Sequence, residues 1–288
     1  MQKSLIALVF IWAIAAASAT AAPVFTLSNI PVGWDGQLEI KLQNSEDFGA
    51  GISFGSQNYG VLKVTSMVDP SSGNTLWTDG QGGAEITGVF NATTVSSITP
   101  SGGQFVVDST GGILNLFINP TGSLTSAGGF QQGTGGYGNA GCGIATLCYH
   151  GITDVGTGGS FLNANWVPGV SPSDPTATVS GTFNTLTFPV TGTAQGYLSV
   201  TGGPYAGQFD TDGFPVGGGF ADLFAQNDFC TPGQTGCIDL SAAGGAPPGG
   251  WQLRSNDPMR AMLASIPEPE VLSLLGLAVA MAAAVRRR

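Results

Sequence analysis

Positive charge and histidine are what this chain has least of. Eight lysines and arginines stand against eighteen aspartates and glutamates, and three of the eight are the last three residues. That balance argues against nucleic acid as a partner, because neutralising phosphates needs a basic footprint. Upstream of the tail only Lys3, Lys41, Lys63, Arg254 and Arg260 carry positive charge, so ion pairing cannot be a major source of cohesion. Histidine occurs once, at His150. A histidine-dependent triad or a zinc site would hang on that residue alone, and neither G-x-S-x-G nor H-E-x-x-H is present. The body also lacks any sustained helical period, which excludes a helical bundle.

Glycine and aromatic residues are abundant instead. Glycine (46) and proline (17) together fill about a fifth of the chain, just under the range of low-complexity disorder. Sixteen phenylalanines, five tryptophans and five tyrosines point to a folded, loop-rich body, since disordered chains are poor in aromatics. Residues 37–43, QLEIKLQ, alternate polar and apolar without a break, as a half-buried strand does. Residues 176–183 do the same, and further strands are predicted at 61–68, 84–90, 104–107, 113–118 and 197–200. Turn-forming clusters of Gly, Pro, Asn and Asp separate them. The expected fold is all-β, an antiparallel β-sandwich or jelly-roll-like body with long Gly-rich loops at 126–143 and 244–250. The first loop could divide the body into two halves, but neither half has an obvious core of its own, and one domain is preferred.

Both ends read as targeting segments. Lys3 precedes an uncharged apolar stretch at 5–17, and small residues then offer A-x-A cleavage sites at Ala17-Ser18-Ala19 and Ala19-Thr20-Ala21. Residues 1–21 are therefore expected to be a signal peptide, removed by signal peptidase on export through the inner membrane. At the other end, Pro267-Glu268-Pro269 precedes fifteen residues, 271–285, broken only by Ser273 and Gly276, and Arg286, Arg287 and Arg288 close the chain. As a helix this run spans roughly 22 Å, short of a hydrocarbon core of about 30 Å, and arginine stems can extend it. The arginines would stay cytoplasmic and leave the body outside. Each proline fixes φ, and Pro269 turns Glu268 away from helix, so the motif presents extended backbone to a protease.

This order of Pro-Glu-Pro, apolar helix and arginine cluster resembles the PEP-CTERM sorting domain of Gram-negative exported proteins. The resemblance covers 266–288 only. Ile266 stands where the family often has valine, and Glu270 where it often has a small residue. The resemblance implies transient inner-membrane insertion, recognition by an exosortase, and cleavage near the motif. It also implies association with exopolysaccharide in a biofilm or floc matrix. The expected organisation is a signal peptide at 1–21, a β-rich extracellular body at 22–265 and the sorting signal at 266–288.

Candidate chemistry in the body is thin. Cys142, Cys148, Cys230 and Cys237 are an even set in an exported chain and read as disulfides, with three connectivities open. Asp210-Thr211-Asp212-Gly213 places alternate carboxylates before a glycine, a partial Ca²⁺ pattern with Asp210 and Asp212 as ligands. An Asp/Gly turn explains the same residues, and no other cofactor is implied. Trp34, Trp77, Trp166 and Trp251 offer surfaces for sugar stacking or for core packing. The expectation is a non-enzymatic surface or matrix protein of the Gram-negative envelope, structural or adhesive. A carbohydrate-binding module and a secreted carboxylate-dependent hydrolase are the alternatives.

Overall fold

The alternation at the start of the body continues well beyond its predicted end. In the computed structural model, which describes residues 23–48, 51–122, 159–187, 189–231, 253–255 and 258–264, strand β1 runs Gln37–Asp47. Leu38, Ile40 and Leu42 are buried, and so are Asn44 and Glu46 on the same face, because alternate residues of a strand share a side. The strands that follow are β2 (Gln57–Val68), β3 (Thr75–Thr78), β4 (Ala84–Ser101), β5 (Gln104–Pro120), β6 (Gly159–Val167), β7 (Val179–Phe183) and β8 (Thr191–Gly202). After a single helical turn, α1 (Ala206–Phe209), come β9 (Phe214–Val216), β10 (Gly219–Ala221), β11 (Leu223–Cys230), β12 (Leu253–Ser255) and β13 (Met259–Met262).

Eleven of these strands form one antiparallel sheet, and β9 and β10 form a separate hairpin. Followed by hydrogen bonding, the sheet runs from β1 through β2, β4, β5, β6, β8, β11 and β13, and β13 pairs back onto β1. The ring is therefore closed. Along part of its height other strands take over: β7 replaces β6 between β5 and β8, and β12 replaces β13 beside β1 and β11. Strands from both sides of the predicted 126–143 loop pair directly, β5 with β6, so the described residues make one unit.

The all-β, antiparallel expectation stands, but its finer form is corrected. A sandwich or jelly roll stacks two sheets, whereas here a single sheet meets itself. Alternation reports that one face is buried and is silent on whether that face packs on a second sheet or curves round to face its own far side. Closure also removes the open edges that a sheet must otherwise protect. On β1 the apolar residues point inward and Glu39, Lys41 and Gln43 alternate with them. A transmembrane barrel carries the reverse pattern, apolar outside and polar within.

Two apolar clusters fill the interior. The larger one includes Leu38, Ile40, Leu42, Leu62, Val64, Met67, Ile86, Phe90, Leu116, Leu198 and Met259. Phe25, from the segment before β1, packs into it with ring centroids 5.0 Å from Phe161 and 5.3 Å from Tyr205. The smaller cluster holds Phe48, Val95, Val107, Phe183, Val190, Phe229 and Leu253. Each fully buried Leu, Ile or Phe contributes about 1.5–3 kcal/mol. Between the clusters, on the same inward faces, the residues turn polar.

Candidate functional site

That polar belt lies on the inward faces of the ring, between its two apolar clusters. On β1, Asn44 and Glu46 lie between Leu42 of the large cluster and Phe48 of the small one. On β4, Thr93 lies between Phe90 and Val95, and on β11, Asn227 lies between Ala225 and Phe229. β2 adds Asn58. An eight-stranded ring has a lumen that side chains just fill or that holds one small ligand. Here it keeps a cavity of about 60 Å³, lined from every strand of the ring, including Asn44, Glu46, Asn58, Thr93, Trp166 and Asn227. A second space of about 30 Å³ shares Glu46, Asn58, Thr93, Val179 and Ala194 with it.

Glu46 is the acid at the centre. Asn44 donates from Nδ2 to Oε1 at 2.8 Å, and Asn58 donates from Nδ2 to Oε2 at 3.1 Å. Asn44 is itself fixed by Ser255, whose hydroxyl donates to Asn44 Oδ1. Burial pushes the Glu46 carboxyl above its ordinary pKa, and the two amide hydrogen bonds only partly offset that. Lys41 pairs with Glu39 and Lys63 with Asp79 and Glu85, and Asn44 and Asn58, not a cation, hold the Glu46 carboxyl.

Trp166 closes the cavity on the β6 side, and two glycines make room for it. A Cβ on Gly112 would lie 2.4 Å from the indole Cδ1, and one on Gly196 would lie 2.5 Å from Cζ3. Gly112 also adopts a φ of 107°, opposite Ala92 at 64°, where the long β4–β5 hairpin changes its inward residues. The indole Nε1 is buried without a hydrogen-bond partner among the described residues, and so is Asn58 Oδ1.

The structure places the other candidates elsewhere. Asp210 and Asp212 are exposed at a turn organised by a different acid. Buried Asp222 accepts the backbone N–H groups of Val200, Thr211 and Asp212, each at 2.7 Å. No group of three or more metal-ligating side chains occurs among the described residues. Cys230 is disulfide-bonded, while Cys142, Cys148, Cys237, His150 and Trp251 lie outside the described residues. So do residues 1–22, with the predicted signal peptide at 1–21, and the whole of 266–288, with Pro267, Glu268, Pro269 and Arg286 to Arg288. Trp77 is fully buried in the large cluster, and Trp34 packs against that cluster with its Nε1 donating to Gln37 O at 3.1 Å.

Asn44, Glu46, Asn58 and Asn227 were not predicted as a site. Their signal is present in the sequence: the alternation of 37–43 runs on to Asn44 and Glu46, where polar residues occupy apolar positions. Compared with known proteins, the chain matches no family profile, no curated protein and no solved structure.

Proposed function

We propose that this protein is an exported, non-enzymatic component of the Gram-negative cell envelope or extracellular matrix, cleaved by an exosortase and associated with exopolysaccharide. The observation that carries the reading is the order of Pro267-Glu268-Pro269, apolar run and Arg286–Arg288 at the end of a chain with a signal-like start. The barrel supports it as a compact body that needs few charges to hold together. No helix among the described residues is long and apolar enough to cross a membrane. Intact-mass analysis of the native product, beside an exosortase-deficient strain, tests the proposal. Loss of the tail in the first strain and its retention in the second is expected; retention in both would overturn it.

A carbohydrate-binding role has one observation in its favour. Tyr197 and Phe224 pair across β8 and β11 with centroids 4.8 Å apart, and Phe214 lies 6.4 Å beyond Phe224. All three rings are half-buried, with Phe220 exposed on the same hairpin as Phe214. Aromatic faces in a row suit sugar rings. Binding on a glycan array that Tyr197→Ala abolishes would support this role. The hydrolase reading has less: the lumen cavity presents one carboxyl, Glu46, where glycoside hydrolysis uses two about 5–10 Å apart.

A further inference from the structure

Two buried atoms in the lumen want partners of opposite kinds. Asn58 Oδ1 is an acceptor and Trp166 Nε1–H a donor, and neither is satisfied among the described residues. Both side chains face the same cavity of about 60 Å³. Buried polar groups are seldom left unpaired, because each then loses its hydration without compensation. Glu46 does not supply the missing partner, since each of its oxygens already accepts an amide N–H. Turning the Asn58 carboxamide over changes which of its groups faces the cavity but still leaves one group there. A hydroxyl or a primary amide can donate and accept, and so meets either arrangement.

The rest of the wall is apolar, with Leu62, Leu114, Leu198 and Met259 opposite the belt. A water would meet the two polar atoms but would leave the apolar wall without a contact, whereas a hydroxyl or carboxamide on an apolar body meets both. An anion would meet the Glu46 carboxyl, and a cation would face the Trp166 N–H. We infer that the lumen is a binding site for a small neutral molecule with a hydroxyl or carboxamide on an apolar body, held between Asn58 and Trp166. The space admits only a handful of non-hydrogen atoms. The inference is independent of how the chain is sorted.

Saturation-transfer NMR on the full chain in detergent, titrated with isopropanol, acetamide, acetate and isopropylammonium, tests it. The two neutral probes should bind with a Kd on the order of millimolar, as their few atoms allow, and compete with each other. The two ions should bind at least about tenfold more weakly. Trp166→Phe removes the donor but keeps most of the ring, and should weaken isopropanol about tenfold. Ala194→Leu puts three more carbons into the lumen and should abolish binding. If either variant fails to fold, the ranking of the four probes on the wild-type chain decides. No saturable binding of either neutral probe would mean that the lumen holds water only and would overturn the inference. Tighter binding of isopropylammonium would overturn it in favour of the Glu46 carboxylate. Undiminished binding to folded Ala194→Leu would overturn it by placing the site outside the lumen.

Discussion

One inward face of β1 carries two kinds of interior. Leu38, Ile40 and Leu42 belong to a packed apolar cluster, whereas Asn44 and Glu46, two and four residues further on, border a cavity. The backbone is the same, and the hydrogen-bonded ring encloses both. The lesson is that closure buries whatever the inward positions hold, so polar residues there must be satisfied by one another or by something that enters. Asn44, Glu46, Asn58 and Ser255 satisfy most of their own groups, and the residue of unmet demand falls on Asn58 and Trp166.

The contrast can be broken most strongly from its apolar side. Ile40→Ala removes a side chain that is 1% exposed and should cost about 2–5 kcal/mol of stability by denaturant unfolding. A matched pair of small-to-large changes should separate the two regions next. Ala261→Leu enters the packed cluster and should cost about 1–3 kcal/mol. Ala194→Leu enters the lumen space and should change stability by no more than about 0.5 kcal/mol. Equal costs at the two sites would erase the distinction.

Glu46→Gln sharpens the comparison through pH. The folded-state pKa of Glu46 lies above the unfolded value, so the unfolded chain releases this proton first as pH rises. Stability is therefore lost as pH climbs from the unfolded pKa through the folded one, and is unaffected by this group in acid. Thermal melts should show Glu46→Gln more stable than the wild type at neutral pH, with the advantage vanishing in acid. On the outside, Lys41→Ala removes a half-exposed ion pair with Glu39 and should change stability by less than about 0.5 kcal/mol.

Period-two alternation made much of the ring legible. Residues 37–43, 61–68, 84–90 and 197–200 fall within β1, β2, β4 and β8. The pattern at 104–107 and 113–118 read as two strands because Gly111 and Gly112 interrupt it, yet β5 passes through both. Residues 176–183 yield only β7 at Val179–Phe183, because Asp174 holds Thr176 in a turn, accepting its backbone N–H at 2.9 Å. Closure was not legible, since pairing between β1 and β13 joins residues more than two hundred apart. The belt was hidden for a related reason. Asn44 and Glu46 look like solvent-facing polar residues until the register on β2 and β12 shows them turned inward with Leu42. In the Asp210–Gly213 stretch the spacing shows alternate carboxylates, while the acid that organises the turn, Asp222, lies ten residues beyond Asp212.

A polar belt around a buried carboxyl, Glu46, lies inside an otherwise apolar closed barrel. Its most direct test follows the Glu46 carboxyl carbon by NMR through a pH titration of the full chain, assigned with Glu46→Gln. The midpoint should lie clearly above the ordinary value of 4.5. A midpoint at or below 4.5 would contradict it, because it would place Glu46 in water or beside a positive charge.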